Sequence, residues 1–442
     1  MSENSVITES GDKPAEPTAL DQLPFSRFHA KITAMTLGAN FSDGYALGII
    51  GAILPTISVQ LGLSSFWEGM IASSALIGLF FGSLILGRVG DIIGRQRVYV
   101  LNFALIAAVS LMQLWTPNVM ALFVLRVLIG FGLGADYAVG PTLMSEFAPR
   151  KQRGAMLASL TVAWTVGYVA ANVIATYLNT GDDSWRWLLA SGAIPAVIVL
   201  VVRIGTPESP GWLISKGRVD EARAIVRRCF GVELDTSAYT QEGESVGYRE
   251  LFSQGNRVRT WFGILFFSAL VLPYFAIYTF VPTILSNLNV ENADLQYLIL
   301  NLFLLVGGIA GIWFVAKMPR RSFTILSFGV LAVSLAALGA LSNVSVAAMM
   351  IPFVIYTFVM SAASNITQVY PPELFPTSLR ASGVGLLNGL SRIASAAGTF
   401  ALPLSLTNWG ISTTMYWLAG VLLLGMLISI RWAPETRSQN LV

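Results

Sequence analysis

Gly87-Arg88-Val89-Gly90-Asp91-Ile92-Ile93-Gly94-Arg95-Gln96-Arg97 is short, charged and rich in glycine, and it lies between two long apolar runs. A link this short makes its flanking helices antiparallel neighbours. Gly87 lets the helix backbones approach closely. Gly94 takes a backbone conformation closed to other residues and so turns the chain. Asp91 has Arg95, Arg97 or a neighbouring helix end to pair with.

The apolar runs belong to a chain of 442 residues that is 55% hydrophobic and 12% charged, with a mean hydropathy of +0.67. Soluble globular chains carry about 25% charged residues. The chain is therefore an integral membrane protein with many spans. Its net charge of +3 is spread through loops and forms no patch for nucleic acid. The single cysteine, Cys229, excludes a disulfide framework and a multi-cysteine metal site. The single histidine, His29, excludes a His-based triad or zinc cluster. No phosphate-cradling P-loop is present. No cofactor, metal or enzyme chemistry is expected, because Asp43, Asp136 and Glu146 lack metal-ligand or nucleophile spacing.

Residues 1–26 are polar and acidic, with no basic stretch before an apolar core, and residues 1–29 read as a disordered tail rather than a signal peptide. Twelve apolar runs follow, at about 30–57, 70–89, 98–115, 119–144, 154–177, 187–204, 260–284, 295–316, 323–341, 344–370, 379–404 and 413–432. Backbone groups in lipid must be satisfied within the segment, so these runs are helices. Of the 27 Lys and Arg, only Arg186 falls in a loop of one side, and Arg126 and Arg392 lie deep within spans. That asymmetry puts both termini in the cytoplasm of a cell with an inner membrane. The longest polar stretch, 205–259, has helical spacing at 220–232 and divides two six-helix bundles, 30–204 and 260–432, with a tail at 433–442. Glu146-Phe147-Ala148-Pro149 with Arg153 recurs as Glu373-Leu374-Phe375-Pro376 with Arg380.

The loop pattern G-x-x-x-D-x-x-G-R-x-R resembles the link between the second and third helices of the major facilitator superfamily. Span four, with Arg126-x-x-x-Gly130-x-Gly132-x-Gly134 and then Pro141, Glu146, Pro149, Arg153 and Gly154, is similar to the sugar-porter type. So are Trp185-Arg186-Trp187, Pro207-Glu208-Ser209-Pro210 and Pro434-Glu435-Thr436-Arg437. Asp43-Gly44-Tyr45 is similar to metabolite:proton and aromatic-acid:proton symporters. The resemblance spans residues 30–437 and departs at Gly211, where sugar porters have arginine. It implies an all-α fold of two pseudo-symmetric six-helix bundles with the substrate between them at mid-depth. It also implies that Gly87, Asp91, Gly94, Arg95, Arg97, Glu146, Arg153, Glu208, Glu373 and Arg380 form a cytoplasmic gating network. The other reading of those charges is topology alone.

Charges inside spans cost about 2.5–3.5 kcal/mol each at a helix centre, so each needs a reason. Four are present: Asp43, Arg126, Asp136 and Arg392. The resemblance makes spans one and four neighbours, and Asp43 beside Arg126 is then a proton-coupling device or a static ion pair. Sugar porters have their aspartate after the Gly-Tyr, where this chain has Ala46. Asp136 binds a proton or pairs with a basic residue near the inner mouth. Arg392 offers a planar fork for a carboxylate, and its partner is the substrate or an acid across the cavity.

Positions that contact sugar in sugar porters hold Thr161, Ala269, Leu270, Phe275 and Gln368 here. The cavity instead offers Trp164, Tyr168, Tyr274, Phe275 and Tyr278 with Asn365, Gln368 and Asn388. A hexose needs many polar partners. The expected function is proton symport of a small organic metabolite, a carboxylate with an aromatic acid among its candidate forms, by a monomer in the lipid bilayer. The rivals are a sugar or polyol symporter and a proton-coupled exporter.

Overall fold

The computed structural model describes residues 24–149, 152–181, 183–235, 248–288, 292–342, 344–375 and 377–436, with only the backbone for a few of these, Arg153 and Arg380 among them. Among the described residues eleven helices are long and apolar enough to cross a membrane. The last of them lies in the helix Thr377–Trp432, which has 56 residues and breaks at Gly410, where φ is 75° and ψ 175°. At 1.5 Å per residue it is about 84 Å long, against about 30 Å of hydrocarbon. It is two spans folded back at Gly410, so the described residues supply twelve spans.

Span one, Arg27–Leu61, begins inside the stretch expected to be a tail. Ser26 and His29 cap it: the Ser26 N–H donates to His29 Nδ1 at 3.0 Å. That pairing satisfies a helix-end donor and draws His29 into the first turn, buried against Phe230 at 4.9 Å. The boundary therefore moves from residue 30 to residue 27.

Span two, Ser65–Ile93, is joined to span three, Arg95–Met112, by Gly94 alone. With φ at 112°, Gly94 stands where a side chain is strained. Span four is Val119–Phe147 and span five Arg153–Leu178. Span six comes in two pieces, Ser184–Ala190 and Ala193–Arg203. The linker supplies helices Pro210–Ser215 and Val219–Phe230, which dock beneath the first bundle: Trp212 Nε1 donates to the Asp91 carbonyl at 2.9 Å. Spans seven to nine are Arg257–Thr279, Ala293–Lys317 and Arg320–Leu341. Span ten breaks at Asn365, between Val346–Ser364 and Ile366–Leu374.

Within the first bundle, span two packs on span four and span one on span five; span seven packs on spans eleven and twelve. A Cβ on Gly44 would overlap the Trp164 carbonyl, and one on Gly167 would overlap that of Phe41, so spans one and five touch backbone to backbone. The outward surface is apolar, with Leu101, Val201, Trp313 and Leu424 exposed to lipid.

The halves meet where span two crosses span eleven and span five crosses span eight. At the end of the bundle opposite Gly94, three hydrogen bonds among the described residues join them. Ser65 and Thr407 hydroxyls lie 2.7 Å apart, Asn172 Nδ2 donates to Asn301 Oδ1 at 2.7 Å, and Tyr168 donates to the Tyr278 carbonyl at 2.9 Å. That end is closed.

Candidate functional site

Three polar groupings lie along the first bundle and its boundary with the second. The deepest contains Asp43 of span one and Asp136 of span four, each 1% exposed. Their carboxyl groups are buried side by side. Two buried carboxylates that share a site resist ionising together, so the pair favours holding a proton. One oxygen of each, Oδ1, is buried without a partner among the described residues. The sequence reading paired Asp43 with Arg126, and the structure corrects it. Arg126 donates through Nη1 to the Ala46 carbonyl at 3.0 Å and makes no ion pair among the described residues. It stands ten residues before Asp136, about 15 Å away along span four. At the depth of Asp43, span four presents Asp136 instead.

The cation whose charge reaches Asp136 is Arg203, at the end of span six, also 1% exposed; the two make no ion pair among the described residues, and Tyr99 lies between them. Arg203 Nη2 donates to Thr36 Oγ1 at 3.3 Å, and its guanidinium carbon sits 3.5 Å from the Tyr99 ring centroid. A desolvated stack of this kind is worth about 2 kcal/mol. Sequence reasoning missed Arg203 by placing it with the basic residues of the membrane edge. The available signal was a lone arginine before Ile204-Gly205, still inside the apolar run.

The second grouping lies between the bundles. Arg392 of span eleven is 6% exposed, with its guanidinium carbon 4.8 Å from the Tyr137 centroid and 5.7 Å from that of Phe275. No described carboxylate pairs with it. Tyr137, absent from the sequence reading, follows Asp136 directly and comes from the opposite bundle. Trp164 lies 6.2 Å from Tyr274 and 6.2 Å from Phe275, centroid to centroid, which completes an aromatic wall. Asn388, one turn before Arg392, donates to the Val384 carbonyl at 3.1 Å.

Other expected contacts are committed elsewhere. Tyr168 and Tyr278 donate to the carbonyls of Tyr278 and Thr357, at 2.9 and 3.1 Å, and so belong to the closed end. Asn365 donates to the Gly308 carbonyl at 3.0 Å, holding span ten to span eight. Gln368 is exposed, and no described contact joins it to the aromatic wall.

The third grouping lies at the Gly94 end. Arg95 pairs with Glu146, which also accepts from the Ser209 hydroxyl. Glu208 accepts the Gln96 N–H at 3.0 Å and packs where a Gly94 side chain would stand. The second bundle repeats this. Arg320 Nε lies 3.2 Å from Glu373, which accepts from the Thr436 hydroxyl, and Glu435 accepts the N–H groups of Arg320 and Arg321 at 3.0 and 3.1 Å. Each pair is worth on the order of 1 kcal/mol, enough to bias a conformational equilibrium. Two assignments change. Asp91 contributes its carbonyl, while its carboxylate makes no ion pair among the described residues. Gly87 is half-buried, and the close approach of span two to span four falls at Gly78 and Gly82 instead. Arg97 is exposed. The side chains of Arg153 and Arg380 lie outside the described residues.

The family profile of sugar (and other) transporters matches residues 31–442. The chain belongs to that family. It is thus a multi-pass transporter of the major facilitator superfamily, not an enzyme. The inner membrane metabolite transport protein YgcS of Escherichia coli K12 is 42% identical over 429 residues, 96% of each chain. The niacin transporter NiaP of Acinetobacter baylyi is 28% identical over 404 residues, 88% of this chain and 89% of its own. Among solved structures, the xylose transporter XylE of E. coli, partially occluded and inward open, superposes with a TM-score of 0.81 at 20% identity, covering 94% of this chain and 100% of XylE. That likeness places the fold.

Proposed function

We propose that this transporter imports a small organic carboxylate, aromatic in its preferred form, together with a proton across the inner membrane. The observation that carries the reading is Arg392, a buried guanidinium facing two aromatic rings with no described carboxylate to neutralise it. A bound anion supplies that charge through a two-pronged contact, and an aromatic ring fits against Tyr137, Phe275, Tyr274 and Trp164. The relative NiaP is named for niacin, an aromatic carboxylic acid.

The proton occupies the Asp43–Asp136 pair. Tyr137 adjoins that pair in sequence and Arg392 in space, so one turn of span four touches both ligands. With both termini in the cytoplasm, as the one-sided basic loops favour, the closed end faces outward and the Gly94 end faces the cytoplasm. Breaking the ion pairs of the Gly94 end as the bundles rock releases both ligands inward. A single copy contains the whole path.

A sugar or polyol symporter is the second reading, favoured by the paired Pro-Glu-Ser and Pro-Glu-Thr stretches and by the xylose:proton symporter fold neighbours. A thermal-shift screen separates the two. Nicotinate and benzoate should stabilise the purified protein, xylose and myo-inositol should not, and Arg392→Ala should lose the acid response. Stabilisation by the sugars alone overturns the carboxylate reading.

A further inference from the structure

We propose that Arg203 is the positioning residue of the proton site: its charge sets how many protons the Asp43–Asp136 pair holds, and its backbone ties that occupancy to the Gly94-end network. The inference rests on the proton-coupled reading above and deepens it.

The groups facing the pair come from five helices. Span one supplies Asp43 itself, with Thr36 beside Arg203. Span three supplies Tyr99, whose hydroxyl is buried without a described partner. Span four supplies Asp136 and Tyr137, and span six supplies Arg203. Span five contributes Trp164, which does not titrate, and Arg392 stands beyond the Tyr137 ring. Arg203 is thus the one cation directed at Asp136 among these groups. Its Nε and Nη1 are buried and make no hydrogen bond among the described residues, so they remain available to an ionised carboxylate. Gly140 leaves the space: a Cβ there would lie 2.7 Å from the Tyr99 hydroxyl and 2.8 Å from Asp136 Oδ1.

Charge counting fixes the occupancy. With one proton the pair carries a single negative charge, and Arg203 brings the buried cluster to neutrality. With no proton the cluster is a buried net anion, and with two it is a buried net cation; both are disfavoured away from water. When the proton leaves for the aqueous side, the two carboxylates repel, and Arg203 is drawn from Thr36 towards Asp136. The Arg203 carbonyl accepts from Gln96 Nε2 at 2.9 Å, and the Gln96 N–H donates to Glu208. Glu208 adjoins Ser209, which donates to Glu146, the partner of Arg95. A displacement of Arg203 is therefore transmitted to the ion pairs of the Gly94 end.

The test needs no substrate. Infrared spectra of the full chain in liposomes, titrated with pH, should show a carboxylic-acid carbonyl band that is lost in Asp43→Asn and in Asp136→Asn. In Arg203→Gln the midpoint of that band should move up by about 1–2 pH units, the effect of removing one charge at short range in protein. Arg203→Lys should hold the midpoint near that of the parent. An unmoved midpoint in Arg203→Gln overturns the proposal.

Should Arg203→Gln alone fold poorly, the double variant with Asp136→Asn removes both charges. It should melt above either single variant, whereas additive losses overturn the pairing. If the band titrates as described but a pH gradient drives no uptake, proton symport falls and the Arg203 assignment stands. If uptake is gradient-driven and the midpoint ignores Arg203, the reverse holds.

Discussion

Glu208 and Glu435 occupy equivalent places in the two bundles: each follows a proline just past the last span of its half and accepts backbone N–H groups at the start of the third. A carboxylate at a helix N-terminus satisfies orphan donors and opposes the helix dipole. Glu208→Ala and Glu435→Ala should each cost about 1–2 kcal/mol. The two networks share no partner among the described residues, so the losses should add in the double variant. Melting temperatures of the purified single and double variants check this.

Gly140 is required by what surrounds the proton pair. Gly140→Ala should destabilise the protein by about 1–3 kcal/mol, the usual cost of overpacking. Adding Tyr99→Phe removes the hydroxyl that a Cβ meets at 2.7 Å and should recover part of that loss. Thermal melts of the single and double variants give the comparison. No recovery would place the cost on Asp136 alone.

The closed end depends on Asn172 and Asn301. Replacing Asn172 with leucine leaves the buried Asn301 Oδ1 without its donor and loosens span five from span eight. In a Cys229→Ser background, cysteines at positions 65 and 407 should cross-link on oxidation, because the native hydroxyls are 2.7 Å apart. Asn172→Leu should lower the cross-linking yield by favouring the state open at that end. An equal yield would mean that the bond does not hold the halves.

Burial pushes the Cys229 thiol up, with Arg228 pulling the other way. Its thiolate fraction at neutral pH is then below that of a free cysteine. Maleimide labelling of this single cysteine should be slow at pH 7 and should quicken with rising pH, about tenfold per unit, until the thiol is ionised. Labelling already fast and flat at pH 7 would contradict the shift.

The fold was legible because lipid enforces it. Long apolar runs must be helices, and the charged Gly87–Arg97 link had to be a tight turn. The repeat of Glu146 as Glu373 also pointed to matched roles, and both meet an arginine at the start of a third span. Pairings inside the bundle were less legible, because they depend on depth and rotation together. Asp43 was matched to Arg126 on helix adjacency alone, yet ten residues of span four separate Arg126 from Asp136. Arg203 was hidden by its position at a span end, where basic residues are common for topological reasons. Tyr137 was hidden because aromatics in spans usually just pack. Its role shows only when Arg392, from the other bundle, is seen above its ring.

Gly94 is the entire joint between spans two and three, and it has no slack. Inserting one residue there would turn span three about its axis by about 100° relative to span two. Tyr99 would swing off Arg203, and Gln96 would lose both the Arg203 carbonyl and Glu208. The angular phase of an entire helix, and with it the fit between a buried acid pair and a surface latch some turns away, is thus set by the length of a one-glycine corner.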